Sequence, residues 1–372
     1  MKNILTLNKI AACGTDRFCK TAYTCGDSVE NPVAIMVRSA AMHDMEINDS
    51  VIAVARAGAG TNNIPIDKYT EKGICVFNTP GANANAVCEL VICGLFMASR
   101  KVAQAIDWCK TLKGHGDTVG KEVEKGKSAF AGPEIMGKTL GIIGYGAIGK
   151  KVAKAAAALG MKVIAFDSFG NPQSDDERIV IAKSVEEIFA QCDYISIHIP
   201  LNDSTKNFIC ADTIAKMKDG VRILNFARGG LVNSDDLISA LESGKVAAYV
   251  VDFPSDEMIN VEGVTAIPHL GASTPESEDN CAVMAADQLI AYIEKGDVIN
   301  SVNLPRAELP EFKGVRTCVI HSASCSEKVK AILGDDALSF VRGDIAYSVV
   351  DKEADASALE GVDGVKSVRV IK

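Results

Sequence analysis

The sequence predicts an α/β protein built on a doubly wound parallel sheet, with a smaller βα unit at its C-terminal end. Three observations predict it. Residues 140–167, LGIIGYGAIGKKVAKAAAALGMKVIAFD, run strand, glycine-rich turn, helix, strand and acid. From 185 to 268, short apolar runs alternate with helical patterns, which calls for a parallel sheet. Residues 315–372 then read βαββαβ, the ferredoxin-like order.

The first stretch carries the chemistry. Leu140–Ile143 is a strand-type run that breaks into Gly144-Tyr145-Gly146-Ala147-Ile148-Gly149. Behind it Ile148, Val152, Ala155, Ala156 and Leu159 recur at helical spacing, Gly160 ends the helix, and Val163–Phe166 is the next strand. In this order the first glycine permits a tight turn, the second lets backbone approach a pyrophosphate, and the third lets helix pack on strand. The helix N-terminus then offers unpaired N–H groups to the anion. Asp167 closes the second strand near the offset of an acid that binds a ribose diol. Ser168-Phe169 follow it, with no arginine to relieve a 2′-phosphate, so NAD is favoured over NADP. The alternative is a glycine-rich turn of another α/β protein.

Composition sets the bounds. A chain of 372 residues suggests two or three domains, and 48% hydrophobic with 23% charged residues is a globular balance. A net charge of −9 argues against nucleic-acid binding through bulk charge. The 12 cysteines form no CxxC pair, and the even spacing of Cys13, Cys19 and Cys25 fits no zinc pattern, so no metal is expected. Free thiols in a reducing cytosol are the simpler account. The N-terminus is too mixed for a signal peptide, and the apolar stretch Ala86–Ser99 carries Glu89 and is too short to span a bilayer. The expectation is a cytoplasmic protein without membrane partners.

In chain order, Val33–Val37 is a strand ending on Arg38-Ser39, and Val51–Ala55 a strand running into Arg56-Ala57-Gly58-Ala59-Gly60. Pro65 interrupts any dinucleotide-type helix behind this loop. Its backbone around Gly58 and Ala59 suits a substrate carboxylate or phosphate, with Arg56 as clamp; the other reading is an ordinary turn with a solvated arginine. Gly73–Asn78 gives a third strand, closed by Thr79-Pro80-Gly81. Asn83 or Asn85 can cap a helix running from Ala86 toward Cys109. Residues 110–138 read as a polar surface crossing with solvated Lys121, Lys125 and Lys127. Beyond the glycine motif, Arg228, Asp252 and His269 each follow shortly on a strand end. Parallel sheets bind ligands beyond those ends, so all three are expected to face one crevice. Pro275–Glu294 reads as a helix, and 305–314 as an extended linker.

Several blocks together carry a resemblance: RAGAGTNNI at 56–64, NTPGANANAVCEL at 78–90, GKTLGIIGYGAIG at 137–149, ILNFARGG at 223–230 and PHLGAST at 268–274. The chain resembles the D-2-hydroxyacid dehydrogenases, and within them the phosphoglycerate-oxidising branch with a short C-terminal ACT-type domain. The resemblance implies a flavodoxin-like substrate domain (1–98 plus 275–304), a Rossmann domain (99–274), a linker (305–314) and an ACT-like regulatory domain (315–372). It implies NAD-dependent oxidation of 3-phospho-D-glycerate to 3-phosphohydroxypyruvate, the first step of serine biosynthesis. Alternatives are a hydroxypyruvate or glyoxylate reductase, or a non-catalytic NAD-sensing corepressor-like scaffold.

By the same resemblance the catalytic residues are Arg228, Glu257 and His269. The cofactor contacts are Gly144, Gly146, Ala147, Ile148, Gly149, Asp167, Ile199, Phe226, Ala227, Asp252, Gly271 and Thr79. Arg56, Gly58 and Ala59 would meet the substrate, with Arg38 or Lys127 as further phosphate partners. The family implies a homodimer or homotetramer. The chain departs from the family pattern in two places. Met258 follows Glu257 where a proline is usual, the loop to His269 is short, and Asp256 stands next to Glu257 as the other candidate acid. In the tail, His321-Ser322-Ala323-Ser324-Cys325-Ser326 replaces the family's serine-binding run.

Overall fold

The structure, a computed structural model, describes residues 1–169 and 172–372. The chain divides into unit 1 (residues 1–83 and 274–372) and unit 2 (84–273).

Unit 1 opens with a parallel sheet of β1 (Lys2–Leu7), β2 (Tyr23–Gly26), β3 (Ala34–Val37), β4 (Ala53–Arg56) and β5 (Cys75–Phe77), in the order β2-β1-β3-β4-β5. This is the flavodoxin-like order. Every residue of β3 is buried, as a strand covered on both faces requires. On one face Ile4, Met36 and Phe77 pack with Ala285, Leu289 and Tyr292 of the helix Pro275–Lys295. Ile35, Val54 and Tyr69 fill the other. That helix starts on Thr274, whose side chain accepts the Ser277 N–H, has proline in its first turn, and stops at Gly296 with φ +81°.

Unit 2 holds seven parallel strands: β6 (Thr139–Ile143), β7 (Lys162–Phe166), β8 (Ile179–Ile181), β9 (Tyr194–Ile197), β10 (Val221–Asn225), β11 (Val246–Val251) and β12 (Val264–Ala266). Their order is β12-β11-β10-β9-β6-β7-β8. The order reverses at β6, between β7 and β9, and open α/β sheets bind ligands beyond the carboxyl ends of strands at such a point. The glycine turn leaves β6 there.

Several expectations need correction. The helix Ala84–Ser99 belongs to unit 2, not to the first domain, because Val87, Val91 and Leu95 share a core with Val152 and Ala156. It also ends at Ser99 instead of running to Cys109, and a second helix starts at Val102. Ser99 Oγ donates back to the Leu95 carbonyl, and a Cβ at Gly132 would lie 1.9 Å from the Ser99 oxygen, so another chain segment occupies the path of the next turn. Asn85 Nδ2 donates to Glu89 in place of a capping role. The 110–138 crossing contains the helix Val119–Gly126, which has no fully buried residue and only the half-buried Val119 and Val123 on its apolar side.

The C-terminal sheet is antiparallel: β13 (Arg316–Ser322), β14 (Leu338–Arg342), β15 (Ile345–Val350) and β16 (Val365–Ile371), ordered β14-β15-β13-β16. It belongs to unit 1. Residues 305–314 are no free linker: Leu304 and Ala307 are buried, and Ala307 exchanges two backbone hydrogen bonds with Val298. Among the described residues no helix is long and apolar enough to cross a membrane.

Candidate active site

The glycine turn has the geometry its sequence order requires. Gly144 sits at φ +97°, and a Cβ there would come within 2.6 Å of the His198 carbonyl oxygen and 3.1 Å of Ile199 Cγ2. A Cβ on Gly149 would fall 2.1 Å from the Gly144 oxygen, so helix and strand close up only with glycine at that position. Gly146 is different: a Cβ there meets nothing within 4 Å, which leaves open space on the side where a pyrophosphate would lie. Ala147 and Ile148 begin the helix Ala147–Ala158, with Gly146 as its N-cap. The Asp167 carboxylate accepts the N–H of Tyr145 at 2.7 Å and of Phe169 at 2.9 Å. These bonds fix it beside the turn, and carboxylate oxygens have lone pairs left for a diol. Glycines, helix end, Ile199 and acid therefore converge, and they fit a dinucleotide.

Beyond β10 and β11 the structure gathers Ala227, Arg228, Asp252, Phe253, His269 and Gly271. Asn225, fully buried at the end of β10, organises the turn. Its Nδ2 donates to the Arg228 carbonyl at 2.9 Å and to the Tyr249 hydroxyl at 3.1 Å, and its Oδ1 accepts the Ala227 N–H. The Arg228 side chain is exposed, donates to the Ala227 carbonyl, and lies 5.2 Å from the centre of the Phe253 ring. The exposed His269 ring stands against the same phenyl group, with centroids 4.1 Å apart and planes tilted 41°. Glu257, in the short turn Asp256–Met258, is exposed. A hydrogen bond from Ser255 holds its pKa below the usual carboxylate range, so it is ionised at neutral pH.

Asp252 is 1% exposed, and neither carboxylate oxygen has a hydrogen-bond partner. A Cβ at Gly271 would lie 3.5 Å from its Oδ2, so the glycine keeps the approach to the acid narrow but open. Burial pushes the Asp252 carboxyl up to about 6, against smaller lowerings by its own main-chain N–H and then by Arg228. A buried anion without a partner is costly, and a cationic ring placed against it would relieve that cost. A raised folded pKa gives a stability contribution that is complete below the ordinary carboxylate pKa and is lost as pH rises through about 6. Asp252→Asn is therefore expected to raise the melting temperature of the ligand-free protein. The gap should widen from about pH 4 to about pH 6 and stay flat above, in the linkage window. Parallel melting curves over that range would show that the carboxylate carries no such penalty.

In unit 1, Arg56 ends β4 and folds back over its own loop. A Cβ on Gly58 would strike Arg56 Nη1 at 2.1 Å, and Arg56 Nε donates to the Arg38 carbonyl at 3.1 Å. The Gly58 N–H, expected to face a ligand, instead donates to the Arg56 carbonyl, and the Ala59 carbonyl accepts from Asn78. Thr79 is fully buried and its hydroxyl has no hydrogen-bond partner.

Three expected contacts move elsewhere. Phe226 is 6% exposed, and its ring edge would lie 2.6 Å from a Cβ on Gly94, so the side chain serves the core of unit 2. Arg38 pairs with Glu278 at 2.6 Å, and Lys127 pairs with Glu124. Asn225 and Phe253 were not singled out from sequence. A polar residue closing the apolar run Val221–Asn225 was the signal for the first; Phe253 carries none beyond standing next to Asp252.

Comparison with known proteins agrees with this geometry. Residues 93–271 match the model of the D-isomer specific 2-hydroxyacid dehydrogenase NAD binding domain. The chain is 40% identical to a hydroxypyruvate reductase of Thermotoga maritima, over 66% of this chain and 78% of that protein. It is 33% identical to a D-3-phosphoglycerate dehydrogenase of Haemophilus influenzae, over 88% of this chain and 83% of that protein. It spans only about half of the Bacillus subtilis D-3-phosphoglycerate dehydrogenase, covering 54% of it at 34% identity. The NAD+-bound crystal structure of 3-phosphoglycerate dehydrogenase from Entamoeba histolytica is similar with a TM-score of 0.61 and 27% identity, over 81% of this chain and 98% of that one. The glycine turn, the acid behind it and these matches lead to one conclusion: the chain belongs to the D-2-hydroxyacid dehydrogenase family of NAD-dependent oxidoreductases.

Proposed function

We propose that the protein oxidises 3-phospho-D-glycerate to 3-phosphohydroxypyruvate. The observation that carries this choice of substrate is Arg56, a guanidinium held over Gly58 at the carboxyl end of β4, where a parallel sheet presents its ligands. A planar fork of N–H donors suits a phosphate. The extended match to the Haemophilus influenzae phosphoglycerate dehydrogenase supports the same reading.

NAD, held by the glycine turn and Asp167, supplies the hydride acceptor for C2. The remaining work falls to the chain's own residues. Arg228 would grip the C1 carboxylate and polarise the developing carbonyl. His269 would take the hydroxyl proton, a task suited to imidazole because its ordinary pKa is near neutrality. Glu257, kept ionised, would stabilise the imidazolium; Asp256 is the alternative acid. Asp252 would sit against the nicotinamide with its charge.

The second reading, a hydroxypyruvate or glyoxylate reductase, rests on the Thermotoga relative and on a similar glyoxylate reductase structure, TM-score 0.67 at 29% identity. Reduction of NAD with phosphoglycerate, glycerate and lactate, beside oxidation of NADH with hydroxypyruvate and glyoxylate, separates the two. Arg56→Ala should lower kcat/KM for phosphoglycerate by about 10- to 100-fold, the value of a charged hydrogen bond, and leave glycerate within about threefold. Equal losses on both substrates would remove Arg56 from the phosphate.

A further inference from the structure

Between Arg228 and His269 stands a residue that the family blocks do not contain. The Phe253 ring lies 5.2 Å from the Arg228 guanidinium carbon and 4.1 Å from the centre of the His269 ring. One phenyl group thus touches both side chains to which the proposed function gives the carboxylate grip and the proton. Its own position is tightly defined. A Cβ added at Gly229 would lie 2.9 Å from the Phe253 carbonyl oxygen and 3.5 Å from its Cβ, so the residue after Arg228 must be small for Phe253 to sit there. Phe253 also lines a cavity of about 400 Å³ together with Gly229, Ser255, Glu257 and Met258. That cavity is space into which a released side chain can swing.

We propose that Phe253 is a positioning residue that sets the distance between the guanidinium and the imidazole. The proposal rests on the reading of Arg228 and His269 given above. The physical basis is double. A guanidinium over a ring face is attracted by its quadrupole, and two tilted rings at this separation are in the favoured range for aromatic pairs. Both contacts draw on the same ring, so a shift of that ring moves both partners together. Misplacing a reacting group by about 1 Å can cost about 100-fold in rate. Gly229 is then explained as the position that lets the ring approach.

The test compares Phe253→Leu, Phe253→Met, Phe253→Tyr, Arg228→Lys and the double variant Phe253→Leu/Arg228→Lys in the full chain. The assay is NAD reduction with whichever 2-hydroxyacid the wild type turns over fastest, and NADH affinity is followed by fluorescence. Phe253→Leu and Phe253→Met should lower kcat/KM about tenfold or more with NADH affinity unchanged, since the nucleotide turn is untouched. Phe253→Tyr, which keeps the ring, should recover to within about threefold. In the double variant the losses should be clearly smaller than the product of the single ones, because an arginine already freed has less position to lose. Leu and Met variants as active as wild type, a tyrosine variant as poor as leucine, or strictly multiplicative losses would each overturn the proposal. His269→Ala separates the two claims. If it too leaves turnover intact, the site has been misread. If it abolishes turnover while Phe253→Leu does not, only the role of Phe253 falls.

Discussion

His269→Ala is expected to lower kcat by about 10²- to 10⁴-fold, the range for removing a positioned general acid–base group. NADH affinity should stay within about twofold, because the proposed reading gives the nucleotide to the Gly144–Gly149 turn and Asp167. The two parameters should therefore separate cleanly. The imidazole is exposed and borders Phe253, so the substitution leaves no large cavity in a core and the fold should survive it. A variant with near wild-type turnover would remove the base from the mechanism.

Arg228→Gln should be almost as damaging, about 10²- to 10³-fold in kcat/KM, as for loss of a donor aimed at developing charge. The loss should appear in both KM and kcat, since the proposed role has Arg228 hold the carboxylate in the ground state and polarise the carbonyl in the transition state. Arg228→Lys restores the charge without the planar fork and should recover only part of the activity. The turn itself depends on Asn225, whose amide spans the Arg228 carbonyl, the Tyr249 hydroxyl and the Ala227 N–H. An Arg228→Gln variant whose only change is a higher KM would assign the arginine to binding alone.

The sequence makes some of this molecule plain and hides the rest for physical reasons. The seven-stranded sheet is readable because its central strands are short, largely apolar runs that alternate with helices. β8 is a three-residue edge strand that leaves Val180 exposed. β1 and β2 escape because each buries only one residue and polar side chains interrupt the apolar run of both. The helix Val119–Gly126 is hard to read because it is short, carries two glycines and has only Val119 and Val123 to mark its apolar side. Thr118 Oγ1 donates to Glu122 and His115 pairs with the same carboxylate, polar contacts at the helix start that the sequence pattern does not display. The ligand-side residues divide in the same manner. The glycine turn is legible because each glycine answers a steric demand. The burial of Asp252 without a partner is not, since a carboxylate after a strand looks the same whether water reaches it or not.

The C-terminal sheet is rooted in the rest of unit 1 by cations that have left water. Arg316, 1% exposed, binds Asp351 and the carbonyls of Lys295 and Pro310. Arg369 donates to the Tyr292 carbonyl and covers its ring at 4.1 Å, while Tyr347 binds the Gly296 carbonyl. Every one of those carbonyls belongs to the end of the long helix or the segment after it. Trimming the chain at residue 314 would therefore not free a neat core enzyme. It would leave a helix terminus with bare carbonyls and an uncovered aromatic patch, and such a truncation would report on aggregation before it reported on regulation.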